Sequence, residues 1–196
     1  MATRRSSAAD KKSFTFPITV SNDDLLVDGS DHVFRTWFYD MSYLATLFDV
    51  GRREMGAVLD VTGPQYTLLM TIGEKMGRDG ISVGEVAEHL HFSGPHVTTE
   101  VIPLVKKGLV RKIPNPADKR GILLRLTPKA EKAIEEVIDR IRGINARFFG
   151  SLTRRELVML HRICRRLIVD GELMLSEQST YRKDTRRWSR NLAYSR

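Results

Sequence analysis

Residues 82–127 read SVGEVAEHLHFSGPHVTTEVIPLVKKGLVRKIPNPADKRGILLRLT and hold two helix starts, a turn and a β-hairpin in close succession. Ser82-Val83-Gly84-Glu85 is a capping box, in which a hydroxyl and a carboxylate three residues apart satisfy each other's backbone donors. Val83, Val86, Ala87 and Leu90 follow at helical spacing, so a short helix ends at about His91. Ser93-Gly94-Pro95 opens a second helix that turns Val97, Val101, Leu104 and Val105 inward and stops at Gly108. Two short helices so closely joined predict a helix-turn-helix. Next, Leu109 to Ile113 and Ile122 to Leu126 are β-prone runs around a loop dense in turn formers, Pro114-Asn115-Pro116-Ala117-Asp118-Lys119-Arg120-Gly121. The hairpin therefore carries a basic tip.

Helical patterns lie on both sides. Before the stretch, Phe34, Trp37, Phe38, Met41, Leu44, Ala45 and Phe48 place an aromatic stripe on a helix running from Asp31 to about Met55. Thr62-Gly63-Pro64-Gln65 caps another that ends near Gly77. After it, Thr127-Pro128 starts a long helix whose Ala130, Ile134, Val137, Ile141, Ile144 and Phe148 repeat to about Gly150. Thr153-Arg154-Arg155-Glu156 caps a last helix carrying Leu157, Leu160, Ile163, Cys164, Leu167 and Ile168, with an expected end near Gly171 or slightly beyond. The expected fold is mainly α with a small β-hairpin wing: a winged helix-turn-helix flanked by N- and C-terminal dimerisation helices. Its segments are an arm of uncertain order at 1–30, a dimerisation helix and connection at 31–62, the winged helix at 63–127, C-terminal dimerisation helices at 128–175 and a basic tail at 176–196.

The net charge of +8 is unevenly spread. Lys106, Lys107, Arg111, Lys112, Lys119, Arg120 and Arg125 oppose one anion, Asp118, between residues 103 and 127. The tail from Ser176 is also basic, with Arg182, Lys183, Arg186, Arg187 and Arg190 around Trp188. Local basicity fits a polyanion partner, because neutralising phosphates releases counterions, although the same charge also serves solubility. The single Cys excludes an internal disulfide, and neither a leader pattern nor an apolar run long enough for a membrane span is present, so a cytoplasmic protein without a membrane partner is expected.

The run Lys107-Gly108-Leu109-Val110 and the run Asp118-Lys119-Arg120-Gly121-Ile122-Leu123-Leu124-Arg125-Leu126-Thr127 resemble two signatures of the MarR family of bacterial transcription regulators, KGLV and D-x-R-x-x-x-V-x-L-T. Leu124 stands at the Val position. The likeness covers residues 31–170 in element order and 64–128 in motif detail. It implies an obligate homodimer with interleaved terminal helices, holding two winged helices over a pseudo-palindromic operator in double-stranded DNA, with recognition helices roughly 34 Å apart. The apolar stripes of the flanking helices agree, since a monomer has little reason to expose them.

The recognition helix would be Ser93 to Lys107, offering Ser93, His96, Thr98 and Thr99 to base edges or phosphates. Ser93 can instead serve only as a cap, and either Thr can pack. Pro103 departs from the family pattern and predicts a kink, because it removes a backbone bond and crowds the Thr99 carbonyl. In the wing, the resemblance gives Asp118 the role of fixing the loop and sends Arg120 into the minor groove, while Lys119 and Lys112 touch phosphates. The plainer alternative for Asp118 and Arg120 is a surface ion pair worth under about 1 kcal/mol.

The family resemblance also implies a small, often aromatic and anionic effector, such as an aromatic acid or its thioester, releasing a repressor. Trp37, Tyr39, Tyr43, Tyr66 and Met70 offer apolar walls with hydroxyl handles, and Arg35 a carboxylate partner, although such a stripe also serves as core. The alternatives are a constitutive or architectural DNA-binding protein without an inducer, and a protein-interaction module. His89 and His91 point to different faces and do not make a metal site. Cys164 reads as a core thiol. No phosphate loop, nucleophile elbow or dinucleotide fingerprint appears, so neither enzyme activity nor a cofactor is expected.

Overall fold

Thr62, Ser82, Ser93 and Thr153 each precede an apolar-periodic segment, and in a computed structural model of the chain each hydroxyl accepts a backbone N–H at a helix start. The structure describes the backbone of residues 14–118 and 121–193, with side chains as far as Glu177. A 3-10 turn at Asp23–Leu25 is followed by α1 (His32–Val58), α2 (Gly63–Lys75), β1 (Ile81–Ser82), α3 (Val83–Leu90), α4 (Gly94–Lys106), β2 (Val110–Pro114), β3 (Ile122–Leu126), α5 (Pro128–Phe149) and α6 (Arg154–Ala193). The chain forms two compact units, residues 1–136 and 137–196, that meet within α5. The expected class holds: mainly helical, with a winged helix-turn-helix in the first unit.

Two expectations need correction. The wing is part of a three-stranded antiparallel sheet, ordered β1-β3-β2, rather than a bare hairpin. Ile81 pairs with Leu124, and Lys112 pairs with the same residue from the other side. A two-residue strand has too little alternation to be seen in a sequence. The last helix also runs well past Gly171, to Ala193. Gly171 weakens a helix without ending it, because only a left-handed turn or an alternative carbonyl partner would make it a stop. The basic tail expected from Ser176 thus continues α6 in backbone, while the side chains of Arg182, Lys183, Arg186, Arg187, Trp188 and Arg190 lie outside the described residues. α4 runs through Pro103 to Lys106 as one helix.

The core of the first unit is built by α2, α3, α4 and the sheet. Leu68, Leu69 and Ile72 of α2, Val86 of α3, Val97 and Leu104 of α4, and Leu124 of β3 are wholly buried. Each such aliphatic side chain contributes roughly 1.5–3 kcal/mol by leaving water. Two glycines permit the close approaches. A Cβ on Gly56 would lie 2.6 Å from the Val61 carbonyl oxygen, where the end of α1 meets the start of α2. Gly80 has φ +104°, and a Cβ there would lie 2.9 Å from that of Leu123, so β1 could not reach the sheet with a larger residue.

The N-terminal arm was expected to be of uncertain order; its described part, from Phe14, is tied to α1. Thr19 donates from its backbone N and from its hydroxyl to Asp31 Oδ2, both at 2.7 Å. Asp31 is 2% exposed and pairs through Oδ1 with Arg35 at 2.8 Å. The Arg35 guanidinium in turn lies 5.0 Å from the centroid of the Phe16 ring. The Thr19 hydroxyl, then its backbone N–H, and then the Arg35 charge hold the Asp31 carboxyl below its ordinary value.

Two predictions follow from these contacts. Leu124→Ala should cost roughly 2–5 kcal/mol in denaturant unfolding, because the cavity opens between two strand partners and cannot easily collapse. The depressed Asp31 value implies a clasp at full strength above the ordinary Asp value of 3.8 and lost as the pH falls through the lower folded value. Amide exchange of residues 14–30 should show that loss, and Asp31→Asn should leave weak protection that no longer responds to acid.

Candidate nucleic-acid interface

The turn between α3 and α4 is set by local chemistry. The Ser82 and Glu85 capping box starts α3, and His91 ends it in the left-handed region at φ 54°. The Phe92 backbone N–H returns to the Ala87 carbonyl at 2.9 Å. Ser93 Oγ then accepts from His96 N at 3.3 Å and opens α4. Pro95 has no N–H, and the cap occupies that of His96, so little backbone donor capacity remains for an anion. Contacts from this turn must come from side chains.

Ser93, His96, Thr98 and Thr99 are all exposed along this first stretch of α4. The two Thr hydroxyls donate to the carbonyls of Gly94 and Pro95, each at 3.0 Å, which fixes their rotamers and leaves their oxygens able to accept. The His96 ring meets the Phe92 ring edge-on, with centroids 5.0 Å apart. The opposite face of α4 is anchored. Glu100 Oε2 accepts from Gln65 Nε2 at 3.2 Å, and Val97, Val101 and Leu104 enter the core. The structure therefore brings the four expected α4 residues onto one open segment.

In the wing, Asn115 N donates to the Gly121 carbonyl at 3.0 Å, and Gly121 N donates back to the Asp118 carbonyl at 2.8 Å. Asn115 Oδ1 also accepts from Ala117 N at 2.9 Å, forming a side-chain turn. These bonds close the base of the loop that carries Lys119 and Arg120, which lie outside the described residues. Lys112 is exposed on β2. Not every nearby cation is available to a partner. Lys107 Nζ pairs with Asp60 Oδ2 at 2.8 Å, and its hydrogen bond and charge pull the Asp60 carboxyl below its ordinary value. Lys129 Nζ donates to the Lys107 carbonyl at 2.9 Å. Sequence reading missed that Lys107 is occupied, because its partner lies 47 positions away.

The expected effector residues differ in exposure and in their partners. Tyr66 is buried and donates its hydroxyl to Met55 Sδ at 3.3 Å, and burial pushes its phenol up. Trp37, Tyr39 and Tyr43 remain exposed on α1. Arg35 is engaged by Asp31 and Phe16, so the positive handle expected for a carboxylate ligand is already matched within the chain. Met70 lines a cleft of about 460 Å³ together with Met76, Leu126 and Ile134. The sequence offered no local signal for that cleft, since its walls come from α2, β3 and the start of α5. Cys164 is a half-buried free thiol on α6, and no group of three His, Cys, Asp or Glu side chains able to hold a metal occurs among the described residues. No helix among them is long and apolar enough to cross a membrane.

Comparison with known proteins places this geometry. A model described as MarR family matches residues 59–121, the segment from the end of α1 through the wing loop. The chain is 28% identical over 110 residues to the transcriptional regulator HosA of Escherichia coli O111:H-, covering 56% of this chain and 78% of that protein. It is 27% identical over 129 residues to the HTH-type transcriptional repressor MdtR of Bacillus subtilis strain 168, covering 66% and 83%. Among solved structures, a mutant MarR from E. coli complexed with operator DNA matches with a TM-score of 0.55 and 25% identity, over 65% of this chain and 89% of that one. A Staphylococcus aureus MepR–DNA complex shares the fold with a TM-score of 0.59 at 17% identity, over 68% and 97%. These relatives are transcriptional regulators, and over its winged helix and wing signature the chain is similar to the MarR family of transcriptional regulators.

Proposed function

We propose that this protein is a sequence-specific DNA-binding transcriptional regulator that works as a homodimer, a repressor released by a small effector. The observation that carries the reading is the open segment of α4, with Ser93, His96, Thr98 and Thr99 exposed beside a wing that bears Lys112 and the Lys119-Arg120 tip. That a related MarR of the same fold is complexed with operator DNA supports DNA as the partner. Hydroxyls and an imidazole suit base edges, whereas the wing cations suit phosphates and a narrow minor groove.

Dimerisation is supported by what the protomer leaves in water. Trp37, Phe38 and Phe48 on α1, Phe148 and Phe149 on α5, and Leu157 and Leu167 on α6 are all exposed. Apolar area contributes about 25 cal/mol per Å² when covered, so an apolar surface of this extent favours burial against a second copy. The effector belongs to the proposal as well, and the family resemblance favours an aromatic molecule.

Sedimentation should therefore give a dimer, and footprinting upstream of the protein's own coding region should show a protected pseudo-palindrome whose affinity falls steeply with salt. A stable monomer or a salt-insensitive complex would refute the proposal. Within such a complex, Arg120→Ala should lower affinity by roughly 1–3 kcal/mol and flatten the preference for A·T pairs beside the half-sites. Lys112→Ala should weaken all sequences about equally, as a phosphate contact does. Equal, sequence-independent losses in both variants would assign Arg120 to phosphate alone.

A further inference from the structure

We infer that the outer face of the wing sheet is a second phosphate-binding surface, on which Arg111 and Arg125 hold the backbone of duplex DNA flanking the segment met by α4 and the wing loop. The inference rests on the proposed function for its partner and adds a contact that neither of those two parts supplies. Arg111 of β2 and Arg125 of β3 stand directly opposite each other in the antiparallel ladder. Opposed residues share one face of a sheet, and like charges so placed destabilise it. Val110, Leu124 and Leu126 are buried on the other face, which leaves the two arginines together on the outer one.

Arg125 is fixed in place, and the charge of the pair is unanswered. The Arg125 side chain is half-buried, and its Nη1 donates to the Arg78 carbonyl. Its stem passes Gly80, where a Cβ would lie 3.1 Å from Arg125 Cγ. Its Nε is shut off from solvent and finds no acceptor, so the guanidinium keeps a buried donor unsatisfied, at a cost to the fold. No carboxylate compensates. Neither arginine forms an ion pair among the described residues, Asp79 makes none with them, and Glu85 is committed to the Ser82 backbone N–H at 2.8 Å. An anion between the two guanidiniums would relieve their repulsion, and a guanidinium already held by Arg78 and Gly80 loses little freedom in binding it. Phosphate suits the place, because its several acceptor oxygens can meet two guanidiniums at once.

Position selects DNA as the source of that phosphate. β2 and β3 lead straight into the wing loop, and Arg125 lies three residues beyond Ile122, so at about 3.3 Å per residue the pair sits roughly 10 Å along the strands from the loop. A straight duplex seated under the loop would leave the pair empty, whereas one whose flanks rise along the wing would reach it. Added phosphate contacts of this kind are what offset the cost of bending DNA.

Binding of the full chain to two duplexes centred on the footprinted site tests the surface, one of about 20 bp spanning the two half-sites and one of about 40 bp carrying both flanks. The wild type should bind the longer duplex roughly tenfold more tightly, one extra phosphate being neutralised on each protomer. Arg111→Gln should abolish that advantage, lower the salt slope on the longer duplex by about 1.8, and change affinity for the shorter one by less than about twofold. Free of DNA, the variant should melt at a higher temperature than the wild type, because the opposed charges are gone. Arg111 is exposed, so the change should leave the sheet folded. Arg125→Lys keeps the charge but loses the planar fork held by Arg78, and it should show the same loss on the longer duplex alone. Equal losses on both duplexes would place Arg111 within the half-site contacts and overturn the flanking surface. A length advantage that survives in both variants, or a lower melting temperature for Arg111→Gln, would overturn it too. Inorganic triphosphate that binds the wild type but not Arg111→Gln, with no length advantage on DNA, would reassign the pair to a soluble anion and overturn the DNA contact. Failure to bind either duplex would remove the proposed function and this surface with it, whereas tight binding of both without a length advantage would overturn the surface alone.

Discussion

The orientation of α4 depends on its seat against α2, and one polar contact decides how it sits there. The Gln65 side chain accepts from Thr62 N at 3.2 Å through its carbonyl oxygen, and its amide donates to Glu100 at 3.2 Å. The residue that closes the N-terminus of α2 therefore also fixes the rotation of α4. Magnitudes separate the two roles. Burial of Leu68, Leu69 and Ile72 contributes roughly 1.5–3 kcal/mol per side chain, so apolar packing supplies most of the stability. A hydrogen bond to a charged group contributes about 1.5–3 kcal/mol, but it is directional where the packing is not. Helix ridges can slide past one another at small cost, whereas a buried amide with one acceptor cannot turn away without losing it. The exposed edge of α4 is thereby held at one angle.

The features legible in the sequence are those whose partners lie within four residues. Thr62 with Gln65, Ser82 with Glu85, and Thr153 with Glu156 are reciprocal caps, and each could be read because both halves of the bond are local. Apolar periodicity likewise located the inward faces of α3 and α4. What escaped was decided elsewhere in the chain. β1 exists because Ile81 and Ser82 find β3 more than forty positions away, and Gly80 lets them reach it. The arm acquires structure because Asp31 offers a buried carboxylate to Thr19, a pairing that composition does not reveal. α6 continues past Gly171 because a glycine marks a stop only where its backbone turns left-handed. Of the proposed DNA interface, the α4 side chains could be read as a set. The pairing of Lys107 with Asp60 could not, nor could a cleft assembled from three elements.

The two halves of the proposed interface divide affinity from selectivity on physical grounds. The exposed turn of α4 presents hydroxyls and one imidazole, with Pro95 and the Ser93 cap together consuming the backbone donors that would otherwise attract phosphate. That turn contributes little long-range attraction, so it discriminates only after contact. The cations sit on the wing and at the end of α4, where Lys107 shares its charge with the exposed Asp60. Counterion release from these cations would give binding that is fast and salt-sensitive, and largely blind to sequence. Specificity then depends on holding a nearly neutral turn at the correct angle once the charged wing has landed. Small displacements of α2 or β3 would therefore alter sequence preference before they altered affinity for DNA in general.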